Sequence, residues 1–243
     1  MAGVIFFIMR LDKLLCELNI GSRSEVKKLI TKGLIKVDNV IIKSADYKVS
    51  ENDSVITYKD KDYHYQKYNY FMMNKPSGIV SATKDNFDKT VIDLFNELTF
   101  NEYKNEYFPV GRLDKDTVGL LLITNDGELS HKLLSPKNNI NKTYYVETKN
   151  NISLNDIDTI LNGIEFKDFT AKVNSIDLLS DNKCNITISE GKYHEVKRIF
   201  IATNNEVTYL KRIKFGPLVL DENLSEGNIR KLNEREKEMI LNV

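Results

Sequence analysis

The 243-residue sequence has no tryptophan, only two cysteines and four prolines, and no surplus of either charge: 35 lysines and arginines face 35 aspartates and glutamates. Cys16 and Cys184 lie far apart and neither belongs to a Cys-x-x-Cys pair, which excludes a disulfide framework and a zinc cluster. A reducing, cytoplasmic setting is expected. No apolar run approaches the roughly 20 residues that span a bilayer, so no membrane partner is expected. The run near the start, Val4 to Met9, also lacks the basic region and small-residue cleavage site of a secretory signal. It is expected to be a loose leader, with Met9 a candidate start. Zero net charge gives no support to nucleic-acid binding as a bulk property, and any such surface must be a local patch.

What is present is 41% hydrophobic residues, enough for a sizeable core in one or two domains. Residues 9–58 read as a small module: a helix from Arg10 to Leu18, a second from Ser22 to Lys32, then short strands. Ser22 followed by Glu25 forms a capping-box pattern, and Gly33 sits where the second helix stops. Arg23, Lys27, Lys28 and Lys32 crowd that helix with only Glu25 against them. Such a face either binds phosphate or is simply solvated. Residues 59–68 are polar and aperiodic and read as a linker. A second domain, 69–243, opens on Tyr70-Phe71-Met72-Met73. Its expected strands include 120–124, 143–147, 171–176 and 185–189. Expected helices are 153–162, ending at Gly163, and 193–202, with Tyr193, Val196, Ile199 and Phe200 on one apolar stripe. The irregular interleaving predicts an α+β fold. No heptads or long apolar edge demand a second copy, so a monomer is expected.

One polar loop stands out, Gly111-Arg112-Leu113-Asp114-Lys115-Asp116-Thr117-Val118-Gly119, set between the expected strand 107–110 and the apolar strand from Leu120. Loops held by strands often carry catalytic groups, and glycines at both ends let the backbone turn or approach a ligand. Taken alone, it reads more readily as a charged surface turn. A calcium loop fails, because Val118 and Asn125 stand where side-chain oxygens and a bidentate glutamate are needed. His64 and His131 have no serine or cysteine arrangement to serve.

The loop gains meaning from its company. Gly111-Arg112-Leu113-Asp114, then Asp116-Thr117, Gly119-Leu120-Leu121 and Thr124-Asn125-Asp126-Gly127, resemble the signature of the RsuA branch of the pseudouridine synthases. Met73-Asn74-Lys75-Pro76-Ser77-Gly78, Ser135-Pro136 with Lys142-Thr143-Tyr144, and Glu190 to Phe200 resemble that family's other motifs in the same order. Met9 to Leu15, Ser22 to Glu25 and Gly33 to Asp38 resemble an S4 domain, a small RNA-binding module. The fold implied is a small N-terminal S4 domain followed by a catalytic domain on a mixed, mainly antiparallel sheet.

The resemblance implies isomerisation of one uridine in rRNA, the base being detached, rotated and rejoined to ribose through carbon, with no cofactor and no metal. Asp114 takes the place of the family's essential aspartate. A carboxylate of reference pKa about 3.9 is already ionised at neutral pH and needs orienting more than activating. Lys197 matches its basic partner, and Tyr144 the aromatic that stacks on a base taken out of its helix. His194, Lys197 and Arg198, at i, i+3 and i+4, are expected on one helix face. They form an RNA-facing patch with Lys192, Lys211, Arg212 and Lys214. Arg112, Lys115 and Thr117 beside Asp114, and Arg23, Lys27 and Lys28 in the S4 module, complete the expected RNA contacts. Length and the lack of a charged tail look most like the branch acting on small-subunit 16S rRNA, although relatives acting on 23S rRNA share the motifs. Two rivals are a non-catalytic S4-bearing assembly factor and a glycosidase pairing Asp114 with Asp116. The first need not keep Asp114, Tyr144 and Lys197 together. In the second, two carboxylates in one loop need not face each other across a sugar.

Overall fold

The computed structural model describes residues 8–50, 54–100 and 106–243. The chain divides into two compact units, 1–68 and 69–243.

In the first unit, β1 (Ile8–Arg10) leads into α1 (Leu11–Glu17) and α2 (Arg23–Thr31), followed by β2 (Ile35–Val37), β3 (Val40–Ile41), β4 (Lys48–Ser50), β5 (Val55–Tyr58) and β6 (Lys61–His64). Strands β3-β2-β5-β6 form one antiparallel sheet, and β1 pairs with β4. Leu11, Leu14, Leu15, Val26, Ile30, Ile35 and Ile56 are buried together and hold the unit. The Glu25 carboxylate accepts hydrogen bonds from the Ser22 backbone N–H (2.8 Å) and hydroxyl (2.6 Å), fixing the start of α2.

Two expectations change here. Most of the presumed leader, residues 1–7, lies outside the described residues, but Ile8 and Met9 belong to β1, and Met9 is buried. The presumed linker contains β6, which pairs with β5 from Val55↔His64 to Tyr58↔Lys61. Its polar sequence hid it because an edge strand exposed along most of its length needs no apolar alternation.

The second unit is a nine-stranded sheet with helices. Its elements are β7 (Tyr70–Lys75), α3 (Val91–Leu98), β8 (Phe108–Pro109), β9 (Val118–Thr124), α4 (Gly127–Leu134), β10 (Lys142–Thr148), α5 (Leu154–Leu161), β11 (Ile164–Glu165) and β12 (Thr170–Ala171). They continue with β13 (Val173–Ser180), β14 (Lys183–Ile188), α6 (Glu195–Ala202), β15 (Val207–Phe215), β16 (Leu218–Val219), β17 (Ile229–Lys231) and α7 (Glu234–Leu241). The strand order is β13-β14-β10-β15-β9-β7-β17, with β16 on β15 and β8 on β9; β11 and β12 pair separately. Every ladder of the large sheet is antiparallel except the short β15–β9 pairing, so the sheet is mixed and mainly antiparallel and the fold is α+β.

Alternation along the strands directs Phe71, Met73, Leu121, Ile123, Val146, Ile186 and Ile188 into one core with Phe95 of α3 and Val196, Ile199 and Phe200 of α6. The expected strand 171–176 is two strands, because the chain changes partner from β11 to β14 around Lys172. The expected helix 193–202 begins only at Glu195. His194 adopts a left-handed φ of 51°, and Tyr193 leaves the apolar stripe to stand 73% exposed.

At the parallel seam, Val118 pairs with Lys211 and Gly119 with Arg212. Gly119 has a φ of +104°, and a Cβ there would lie 2.3 Å from the Arg212 carbonyl oxygen. Glycine is therefore required twice over, by conformation and by contact. Gly119→Ala is expected to destabilise the protein by about 3 kcal/mol or more in urea unfolding; a loss below about 1 kcal/mol would show that the seam can open without penalty.

Candidate active site

The loop carrying Asp114 is built around a lysine. Lys75, the last residue of β7, is fully buried, and its ammonium donates to the carbonyl oxygens of Pro76 (3.0 Å), Asp114 (3.1 Å), Lys115 (3.2 Å) and Thr117 (2.9 Å). Three of these belong to the loop, whose irregular carbonyls have no ladder to join, and one buried cation satisfies them together. Burial pushes the Lys75 ammonium down to about 8, against the pull of Asp116 and Asp114. The loop is also tied from outside. The Ser81 hydroxyl donates to the Leu113 carbonyl (2.9 Å) and accepts from its N–H (3.0 Å), and the Gly78 N–H donates to the Lys115 carbonyl (2.8 Å).

So held, Asp114 presents a half-buried carboxylate to α6. Lys197 Nζ lies 3.2 Å from Asp114 Oδ2 and 2.6 Å from Asp116 Oδ1, and His194 Nε2 lies 3.6 Å from Asp114 Oδ1. Burial alone would raise the Asp116 carboxyl, but its hydrogen bond to Lys197 and that cation's charge outweigh burial and lower it. Lys197 responds in kind: burial would lower it, but the two carboxylates leave it raised. Lys197 is therefore a fixed cation bridging both aspartates.

Tyr144 forms the wall of the same pocket. A break in register between Thr143 and Tyr144 sets Tyr144 opposite Arg212 on β15. Burial raises the Tyr144 hydroxyl, and the guanidinium of Arg212 beside it pulls the other way. The phenol stays neutral at physiological pH. Arg212 is itself only 2% exposed; its Nε donates to the Leu120 carbonyl (2.8 Å), and its guanidinium lies 4.9 Å from the Phe215 ring centre. A cleft of about 400 Å³ is lined by Arg112, Asp114, Tyr144, His194, Glu195 and Lys197, among others. A second hollow sharing Arg112 and Tyr144 extends to Lys142 and Arg212.

Asp114, Tyr144, Lys197 and His194 thus converge, with Arg112 exposed at the rim and Thr117 buried in the lining. Lys115 is paired with Asp88 (2.6 Å). Arg198 does not share a face with His194 and Lys197: it forks onto Asp168 (3.0 and 2.6 Å) and stacks on Phe166 and Phe169. The expectation of one shared face holds for His194 and Lys197, which meet at Asp114, and fails for Arg198, which Asp168 and the two phenylalanine rings hold elsewhere. Arg212 is likewise no surface phosphate contact but a wall of the pocket. Lys75 and Glu195 are the residues that sequence reasoning left without a role in the site, and Arg212 the one it placed on the surface. For Lys75 the one local signal was its place at the end of the largely apolar run Tyr70-Phe71-Met72-Met73-Asn74; Arg212 and Glu195 sit among charged neighbours that give none.

Set against known proteins, residues 69–202 match the family described as RNA pseudouridylate synthase, and residues 9–55 match the S4 domain. The chain belongs to the RNA pseudouridylate synthase family. It is 42% identical to an uncharacterized RNA pseudouridine synthase, YtzG, of Bacillus subtilis, over 96% of this chain and 98% of that protein. It is 38% identical to the ribosomal small subunit pseudouridine synthase A of Vibrio cholerae, over 94% and 97%. A solved structure described as a pseudouridylate synthase superposes with a TM-score of 0.66 at 36% identity, covering 96% of this chain and 99% of the other.

The depressed Lys75 gives a signed expectation. Its folded value near 8 lies below its ordinary 10.5, so between those pH values the unfolded chain binds a proton that the folded chain has released. Stability from this group therefore rises with pH across that window and is at its lowest below it. Relative to Lys75→Met, the wild type should gain up to roughly 3 kcal/mol between pH 8 and 10.5 in urea unfolding. A difference that stays flat with pH would mean that the ammonium is not desolvated.

Proposed function

We propose that this protein converts one uridine of small-subunit 16S rRNA to pseudouridine, with Asp114 as the catalytic carboxylate. The observation that carries the reading is the Asp114 carboxylate standing in the cleft, 3.2 Å from the fixed cation of Lys197 and on the same pocket as Tyr144. Family membership supplies the reaction class. The small-subunit target draws support from similar proteins of Vibrio cholerae and Haemophilus influenzae, both named ribosomal small subunit pseudouridine synthase A.

In this reading the ionised Asp114, oriented by Lys197 and His194, engages the target nucleoside, and the N1–C1′ bond breaks. The uracil turns within the pocket, C5 bonds to C1′, the C5 proton leaves and N1 gains one. The sum is an isomerisation without net oxidation, and no cofactor is called for. Tyr144 holds the extruded base with its ring, and its neutral hydroxyl serves as a hydrogen-bonding group near the departing proton. Arg112, His194 and Thr117 contact the nucleotide, and Lys115 the backbone beside it. Arg198 acts from behind by bracing α6. Arg23, Lys27 and Lys28, exposed on α2 and without an ion pair among the described residues, attract phosphate. Among the described residues no helix is long and apolar enough to cross a membrane. The setting we propose is the cytoplasm, with the protein a monomer acting on naked rRNA or an assembly intermediate.

Incubation with 16S and 23S transcripts, naked and as ribonucleoprotein, followed by chemical mapping of pseudouridine, tests the target. Product on 16S RNA is expected; product on 23S alone would move the target, and none on either would end the enzymatic reading. Asp114→Asn should abolish product while RNA affinity stays within about twofold, since uncharged amide replaces carboxylate without changing shape. Retained turnover removes Asp114 from its role. Neutralising Arg23, Lys27 and Lys28 together should weaken RNA binding and reduce the slope of log affinity against log salt by about 2 to 3. An unchanged slope returns α2 to a solvated face.

A further inference from the structure

Buried polar atoms in folded proteins almost always have partners, and the exceptions call for explanation. Three of the few exceptions among the described residues, Thr117 Oγ1, Glu195 Oε1 and Arg212 Nη2, belong to side chains lining the two connected hollows around Tyr144. Their residues are 2%, 3% and 2% exposed. Glu195 is the most telling. Its Oε2 is committed, accepting the Lys192 backbone N–H at 2.8 Å and so fixing the turn that opens α6, while Oε1 is left over. On Arg212, Nε is committed to the Leu120 carbonyl and Nη2 is left over. The two hollows, which share Tyr144, thus carry a spare acceptor from α6 in one and a spare donor from β15 in the other.

That pair matches one edge of one base. Uracil offers an N3–H donor flanked by the O2 and O4 acceptors, whereas cytosine has a bare acceptor at N3 and a donor at N4. The isomerisation also singles out N3. Half a turn of the planar base about the line through N3 and C6 brings C5 to where N1 was and exchanges O2 with O4. The N3–H group stays where it was. A single acceptor on N3–H can therefore keep its hydrogen bond before and after rotation, and a single donor meets O2 first and O4 afterwards, or the reverse.

We infer that Glu195 Oε1 accepts the N3–H of the extruded uracil and serves as the pivot on which the detached base turns, with Arg212 Nη2 donating to whichever carbonyl oxygen stands beside it. This assignment rests on the reading of the pocket as a uridine site and adds to it the group that selects uracil. Cytosine is refused because its unprotonated N3 would face the carboxylate acceptor. Thr117 Oγ1, able to donate or accept, fits either remaining position on the base or the ribose.

The test uses single-stranded RNA substrates carrying either uridine or 3-methyluridine at the target, so that base pairing does not enter. With the wild-type enzyme, N3-methylation should lower kcat/KM by about 100-fold or more, because it removes the donor and sets a methyl group against a buried carboxylate. With Glu195→Ala, which removes the acceptor and opens space for the methyl, turnover of uridine should fall by at least about 30-fold, and the penalty for 3-methyluridine should shrink to within about fivefold. Glu195→Gln retains an acceptor oxygen and the Lys192 contact and should recover most of the uridine activity lost in the alanine variant. It also keeps the test open if Glu195→Ala does not fold, because the wild-type penalty and the glutamine recovery stand alone.

A wild-type enzyme that accepts 3-methyluridine within about twofold overturns the pivot. So does a methyl penalty of equal size in wild type and Glu195→Ala, which would mean that Oε1 is satisfied by water and braces α6 only. Absence of pseudouridine from unmodified RNA with wild-type enzyme would instead overturn the uridine site itself, a result distinguishable from both.

Discussion

The arrangement of the loop that carries Asp114 depends on one buried ammonium. Without Lys75, the carbonyl oxygens of Asp114, Lys115 and Thr117 would converge on the end of β7 with no shared donor, the first two keeping one backbone N–H each. A water molecule there would offer two donors; the ammonium shares three N–H donors among four carbonyls and carries charge. The charge matters to what lies above it. Lys75 holds the loop by its carbonyls and Lys197 by its carboxylates, so two cations are set against Asp114 and Asp116. That pairing accommodates two carboxylates, one of them half-buried, at the edge of the pocket.

Buried cations also change what zero net charge means. Lys75 and Arg212 are counted in the sequence but are withdrawn from the surface. Arg198 and Lys115 are exposed in part but tied to Asp168 and Asp88. The positive charge available to a phosphate backbone is therefore smaller than composition implies and is concentrated in places such as the outer face of α2. The proposed function therefore assigns affinity for RNA and chemistry on RNA to different basic residues, those on α2 exposed and without an ion pair among the described residues, those around the pocket paired or buried.

This division also explains which parts of the molecule were legible beforehand. Capped helices announce themselves locally: Ser22 with Glu25, and Ser153 with Asp156 ahead of Gly163, mark α2 and α5 from neighbours alone. The loop around Asp114 was legible through its motif. Lys75 and Arg212 were not, because a lysine or arginine in sequence reads as solvent-exposed and only long-range pairing, Lys75 with Gly119 and Arg212 with Tyr144, brings them inside. The left-handed His194 was hidden for a related reason. The stretch 193–202 has helical spacing, but Glu195 uses its carboxylate to hold Lys192 in a turn and starts the helix late. Strand β6 escaped because an edge strand can be polar throughout.

The seam between β9 and β15 has a further meaning. Parallel pairing lasts for only two residue pairs there, and on either side each strand continues within its own antiparallel set, β9 with β7 and β15 with β10. Twisted antiparallel sets joined over so short a length diverge once the ladder stops. Asp114 enters β9 from one set, and Tyr144 and Arg212 belong to the other. Residues from both sets line the hollows around Tyr144, together with the turn that opens α6, so the strand part of the wall is braced by backbone ladders. Enlarging or narrowing the hollows from that side would mean lengthening or shortening a ladder, a coarse step of whole residues that leaves fine adjustment to the side chains at their lip.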